Sequence, residues 1–393
     1  MLDHTSTYAI WLERMLKYQN MATSYKAFWL KGIVLDIIER QSQHLTFEQI
    51  IHRMIVEAWY PIVQFRLHFG VQDQLGTLVD YIETTYHLGA ETHKNKLLSF
   101  LSEDERLRAD KTYNKLVHNF TQMVPYRLLT PFFEDTVKGL KDQKKNRAIA
   151  KHSLESTEAF YRLDDKAQTL TVSSDWLAYI LKNQAVILGW LKYKLATYIQ
   201  RKNPSVPNIL FKLDAPKLRE LNQAKIYWST AIRELALGDL YTGYAFSQPH
   251  TAARGQVSID HFIPWSFVLH DELWNLLPTF KHINSAKSNK LPLMDRHLEA
   301  FCLLQYKSFN HMRNAPRQHK LMTDYLNLGG ALNTREILDP KNHVDQDLFV
   351  NSLKSTLVPL HQIAANQGFE LWREGGFYYD NPSSLVSLAA EKN

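Results

Sequence analysis

Apolar residues recur along this chain at helical spacing over most of its length, and the exceptions are short. From Ser24 to Arg40, Phe28, Leu30, Ile33, Val34, Ile37 and Ile38 fall mostly three or four apart, the stripe of a half-buried helix. "TFEQ" at Thr46–Gln49 has the spacing of a capping box, so it predicts a helix start, with an end near Pro61. Further helices are predicted over Asp73–His87 and Glu103–Phe120. "PYRLLTPFF", from Pro125, carries two prolines and reads as an extended connector. Over Glu158–Ser174, Leu170 and Val172 alternate with threonines after an Asp-Asp-Lys turn, which predicts a hairpin. A long helix is expected from Asp175 to about Arg201, and another over Pro216–Glu234, which opens on proline. Beyond Pro292 the pattern is helical again, over the stretches "DRHLEAFCLLQYKSFNHMRN" and "QHKLMTDYLNL" and over Val350–Gln367, where Pro359 should kink or split the helix.

The segment between the last two groups breaks this pattern. "DLYTGYAF" (Asp239–Phe246) and "VSIDHFIP" read as strands, "HDELWNLLPT" as a loop, and "HINSAKSNKLP" as a short helix that Pro292 stops. The chain is therefore expected to be mainly α with a small embedded α+β unit. Four regions follow: a helical region over 1–124, a connector with hairpin and long helices over 125–236, the irregular unit over 237–297, and a helical region over 298–393.

Composition changes this picture little. The chain has 393 residues, 45% hydrophobic and 22% charged, which suits several packed units of ordinary soluble protein. One cysteine, Cys302, excludes a disulfide framework and a Cys-rich zinc site. The N-terminus has Asp3 and no apolar core of signal-peptide length, and the longest apolar run, "AVILGWL", is too short to span a bilayer. A soluble cytoplasmic protein without membrane contact is expected. A net charge of +6 permits a polyanionic partner without requiring one. The basic run "KGLKDQKKNRAIAKH" reads first as a solvated helix face. Its functional alternative is a nucleic-acid contact through Lys144, Lys145 and Arg147. The N-terminal helices likewise read as a packing module, with a winged-helix-like DNA reader as the alternative.

Candidate chemistry concentrates in the irregular unit. Asp260 and His261 stand side by side in the apolar run "SIDHFIPW". On the short helix Asn284, Lys287 and Leu291 share a face, and with Leu291 inward Asn284 points at the strand bearing Asp260. One carboxylate, one amide oxygen and one imidazole then surround a common point. A hard cation prefers oxygen ligands and keeps several waters, so one carboxylate and one amide suffice. An imidazole off the metal can take a proton from water. Taken alone, Asp260–His261 reads as a buried pair stabilising a hairpin. Asn275, Asn284 and Lys287 at matching intervals favour the catalytic reading. No P-loop, HExxH or glycine-rich dinucleotide motif is present.

"IDHFIPWSF…N…N…KSNKLP" resembles the ββα-metal, or HNH, endonuclease motif. It is similar to the HNH domains of RNA-guided CRISPR nucleases and to stand-alone HNH proteins of restriction and phage-defence loci. The resemblance covers about Leu237 to Arg296. It implies that Asp260 and Asn284 hold Mg²⁺ or Mn²⁺ and that His261 is the general base. It implies that Asn275 fixes the loop and orients His261, and that Lys287 faces phosphate or the leaving group. Lys290 is a weaker phosphate contact. For His282 a further metal ligand, a phosphate contact and a surface histidine all remain open, while His270 and His250 read as incidental. Many relatives carry two CxxC pairs for a structural zinc. Here Leu240, Gly243, Phe280 and Ile283 stand in those places, so an apolar plug without zinc is expected. The expected function is metal-dependent DNA cleavage, leaving 5′-phosphate and 3′-hydroxyl ends, in anti-phage defence or restriction. A defence partner protein and a homodimer are further expectations. The rival is a catalytically silent HNH module in a nucleic-acid-binding or scaffolding subunit.

Overall fold

The computed structural model describes residues 6–17, 21–214, 219, 221–247, 255–315, 319–328, 332 and 335–373. His250, Pro216 and the stretch from Pro382 onward lie outside them. The chain folds into two compact units, Met1–Pro216 and Lys217–Asn393. Of the four regions expected, the first and most of the second fall in the first unit. The other two fall in the second unit. The protein is mainly α, with small antiparallel strand pairs and a small α+β unit. Among the described residues no helix is long and apolar enough to cross a membrane.

In the first unit, helix Tyr25–Arg40 packs on helix Phe47–Trp59. Gly32 makes the close approach: a Cβ there would lie 3.1 Å from Ile50. The capping box is formed, with Gln49 N donating to Thr46 Oγ1 (3.1 Å) and Thr46 N to Gln49 Oε1 (2.9 Å). The α-helix ends at Trp59, near Pro61 as expected. The chain widens into a π-helical turn, Tyr60–Gln64, which tolerates the missing N–H. The single helix expected over Glu103–Phe120 is instead three short ones, Lys94–Glu103, Glu105–Ala109 and Lys111–Thr121. Asp104 and Asp110 break it by capping the next helix each time. The proline-rich connector is also helical, as Val124–Leu128 and Thr130–Phe132, because both prolines occupy first-turn positions.

The hairpin pairs β2 (Tyr161–Asp164) with β3 (Thr169–Val172), and β1 (His44–Thr46) adds to the other side of β3. Its inner face buries Tyr161, Leu163, Leu170 and Val172. Trp29, Trp59, Trp176 and Phe160 fill the same unit's core. The long helix Ser174–Lys202 closes it, irregular at Asn183.

In the second unit, β4 (Val257–His261) and β5 (Leu276–Phe280) pair antiparallel, with Asp260 opposite Leu277. Helix Lys281–Lys287 follows β5 directly. The partner strand is thus Leu276–Phe280, and not "DLYTGYAF", which is a turn closed by a bridge from Gly238 to Ala245. Asp239 makes the turn, accepting from Thr242 N (2.9 Å) and Thr242 Oγ1 (2.6 Å), and Gly243 takes φ 73°. Helix Met294–Met312 underlies this pair: Phe301 stacks on Phe262 (4.1 Å) and Gln305 Nε2 donates to Leu276 O (2.7 Å). Leu240, Phe280 and Ile283 belong to this core. Helix Gln346–Asn366 runs unbroken through Pro359. Beyond it, Leu291 N donates to Glu370 O (2.8 Å) and Trp372 N to Leu291 O (2.7 Å), a strap across the end of the short helix. Cys302 is buried, which pushes its thiol up to about 12 and leaves it a core residue.

Candidate active site

The strand and the short helix meet in two rungs. In β4 alternate residues share a face, so Ser258 and Asp260 point the same way. Asn284 and Lys287, three apart, share the helix face opposite them. Asn284 Nδ2 donates to Ser258 Oγ (2.8 Å) and Ile259 O (3.1 Å). Lys287 Nζ lies 3.2 Å from Asp260 Oδ1 and 3.0 Å from Oδ2, and donates to His261 O at 2.7 Å. Anchoring of the Asn284 amide hydrogens turns its Oδ1 the other way, the group a ligand would offer. Asp260 is 4% exposed and Lys287 0%. The expected outward reach of Lys287 to phosphate is therefore absent. A buried carboxylate needs a counter-charge, and the ammonium supplies it.

Tyr241 donates its hydroxyl to Asp260 Oδ2 (2.9 Å), and is held edge-on by His297 (5.3 Å) and Trp372 (5.0 Å). Trp372 stands two residues past the strap's first hydrogen bond. Asp239 is also buried here. Burial raises its pKa, Thr242 opposes that, and the charge of Asp260 adds to the rise.

The His261 ring, 3% exposed, takes a different partner. Its Nε2 lies 2.8 Å from Asp271 Oδ1. A carboxylate only accepts, so Nε2 carries the hydrogen, and the second ring nitrogen, Nδ1, is the one left to exchange a proton. Nδ1 has no protein partner among the described residues. Asp271 is aimed by the chain reversal after helix Trp265–Val268, where Leu269 takes φ 55°. A leucine in that region costs roughly 1–2 kcal/mol, so packing elsewhere must hold it. Part of that hold is visible: Asp324 Oδ2 accepts from Leu273 N (2.8 Å). Burial, opposed by that bond and reinforced by Glu272, raises Asp324 to about 6.

Asn275 is fully buried and fully committed. Its Oδ1 accepts from Ile263 N (2.8 Å) and its Nδ2 donates to Ile263 O (2.9 Å), while Phe262 N donates to Asn275 O (2.8 Å). It pins the loop, as expected, but makes no bond to the His261 ring. Orientation of the ring falls to Asp271. His282 is exposed and stacks on Phe280 (5.9 Å), and Lys290 is exposed. Neither is among the contacts of Asp260. Of the distant basic residues, Lys144 and Arg147 face solvent while Lys145 is half-buried.

The sequence reading missed Tyr241, Asp271 and Asp324. Tyr241 was hidden in a segment read as strand. Asp271 stands ten residues past its partner, and only the geometry of the intervening turn brings it back.

Residues 239–293 match the family described as HNH endonuclease. This segment is an HNH module. Among curated proteins and among solved structures, no significant match is found. Membership implies a nuclease acting on nucleic acid, and HNH nucleases typically use divalent metal ions. The donor set of this module suits such an ion. Asp260 has about four lone-pair sites, of which Tyr241 and Lys287 occupy three, so one remains for a single bond. With Asn284 Oδ1 that would make two oxygen donors, enough for a hard cation that keeps several waters. That Asp260 and His261 O already cradle an ammonium shows that the pocket favours positive charge.

Proposed function

We propose that the HNH module hydrolyses phosphodiester bonds in DNA, with His261 as general base and Asp260 and Asn284 as ligands of Mg²⁺ or Mn²⁺. The observation that carries this reading is the 2.8 Å pairing of His261 Nε2 with Asp271 Oδ1. Asp271 accepts from Nε2–H, which leaves Nδ1 as the basic nitrogen of the ring. A divalent ion bound there would supply charge to offset the negative phosphate oxygens during attack and departure. His261 Nδ1 takes a proton from the attacking water, and Asp271 stabilises the imidazolium that results. Tyr241 keeps Asp260 in one rotamer. Asn275 keeps the loop from shifting His261 off line. One such centre cuts one strand, so double-strand cleavage requires two copies or two nicks. The resemblance of "IDHFIPWSF" to CRISPR and phage-defence HNH segments supports a role in defence or restriction, with a licensing partner protein.

The test is nicking of supercoiled plasmid with Mg²⁺ or Mn²⁺. His261→Ala should lower the rate by about 10²–10⁴-fold, the usual contribution of a general base. Asp260→Ala and Asn284→Ala should abolish the metal-dependent rate, and full activity in either would break the ligand assignment.

One observation favours the rival reading, a silent module that binds or scaffolds: Lys287 already neutralises Asp260. Titration calorimetry decides. Binding of Mn²⁺ by wild type and its loss in Asp260→Asn support the nuclease. No binding at millimolar metal supports the scaffold.

A further inference from the structure

Buried lysines in the first unit generally have an acid. Lys31 and Lys94 share Glu57 at 2.6 Å each, and Lys194 meets Glu13 at 2.6 Å. Lys26 is different. It is half-buried in the first turn of helix Tyr25–Arg40 and has no acidic partner among the described residues. What faces it is positive. Burial first, then the charges of Arg127 and Lys145, lower its pKa to about 8.

Each of these groups is placed where positive charge is disfavoured. Lys26 and Lys145 both lie near the N-termini of their helices, Tyr25–Arg40 and Asp142–Glu155, whose dipoles repel cations. On the second helix Lys145 shares the inward face with Ile149 and Ser153, and has no acid partner among the described residues. Arg127 is mostly buried, its Nε has no acceptor, and its one acid is the exposed Asp142 (2.6 Å). Helix Val124–Leu128, which carries Arg127, packs on both of these helices, so three cations meet where only Arg127 has an acid, the exposed Asp142. Such an arrangement opposes folding and is relieved by an anion.

We propose that Lys26, Arg127 and Lys145 form a phosphate-binding site in the first unit that grips the backbone of a nucleic-acid chain. Lys144 and Arg147, on the solvent side of the same helix, are not part of it. The choice of nucleic acid rests on the HNH reading. The shared chemistry, a phosphate oxyanion between two ammonium groups and a guanidinium, would also fit a free phosphate, and the experiment separates the two.

Binding of a labelled DNA duplex to the full chain is measured by anisotropy in EDTA across a salt series, so no cleavage occurs. Each phosphate contact contributes about 0.9 to the slope of log K against log salt, so Lys26→Gln with Lys145→Gln should lower that slope by about 2. Lys144→Gln with Arg147→Gln should leave it unchanged. Lys145→Gln alone, at a half-exposed position, should raise the melting temperature while weakening binding, because it relieves repulsion. An unchanged slope in the first double variant, an equal drop in the second, or no duplex binding by wild type at low salt each overturns the proposal. So does stabilisation by tripolyphosphate that needs Lys26 and Lys145 while the duplex slope does not. Plasmid nicking is followed in parallel: intact nicking with an unchanged slope sinks this site and spares the nuclease. No nicking by wild type under any metal, with the slope effect preserved, sinks the nuclease reading and spares this site.

Discussion

At the scale of single residues, the site depends on who holds whom. Asp271→Ala removes the acceptor that fixes His261 without touching a ligand of the metal. The expected result is a kcat lower by on the order of 10²-fold with KM for DNA and the metal dissociation constant unchanged. Nitrogen-15 NMR of the His261 ring should then show the hydrogen shared between Nδ1 and Nε2, a change that a merely structural role would not produce. Lys287→Met leaves a buried carboxylate without its counter-charge, and one-sided removal from such pairs costs about 3–5 kcal/mol. Its melting temperature should fall in EDTA, and Mg²⁺ should recover more of it than in wild type, because the ion binds only the folded state. Equal metal responses would show that the ammonium and the ion do not compete. The placement of Asn284 against the strand that bears Asp260 was legible from residue type and interval. The role of Lys287 was not, because its side chain turns inward along the helix face toward an acid that only folding brings opposite it.

Among the elements, agreement between sequence and structure followed the strength of the local signal. The capping box at Thr46, the stripe of Tyr25–Arg40 and the hairpin around Asp164 contain their own instructions, and each formed where expected. Elements that depend on distant partners did not announce themselves. β1 is three residues long and exists because β3 lends it hydrogen bonds. β5 carries Pro278, which reads as a loop. It is tolerated because this two-stranded pair leaves one edge of each strand without a ladder. Asp104 and Asp110 were read as positions within one helix although each is a strong cap. Asp104→Ala should cost about 1 kcal/mol by denaturant unfolding, the usual worth of such a cap. A change below a few tenths of a kcal/mol would mean that the short helices are held by packing alone.

For the whole molecule, the two units carry buried acids with opposite responses to pH. Burial raises the pKa of Glu57, but Lys31 and Lys94 outweigh it and bring it down to about 2. The folded form therefore binds its proton less tightly than the unfolded chain. Stability from this group is present above the ordinary value of 4.5 and is lost as pH falls toward 2. Asp324 is raised to about 6, so the folded form binds its proton more tightly. Its charge weighs against folding above pH 6, and that cost disappears as pH falls toward the ordinary 3.8. Thermal melts from pH 4 to 7 should show Asp324→Asn gaining relative to wild type as pH rises. A constant difference would refute the assignment. Glu57→Gln should lose its disadvantage only below pH 4.5. The strap at Leu291 adds an order in time. Ribosomes deliver Asp260, His261, Lys287 and His297 well before Glu370 and Trp372, so the second of the two rings that back Tyr241 arrives late. A nascent chain thus displays the whole HNH motif before the Tyr241–Asp260 bond is fully backed. The packing that steadies Asp260 is completed only once residues 370–372 have been made.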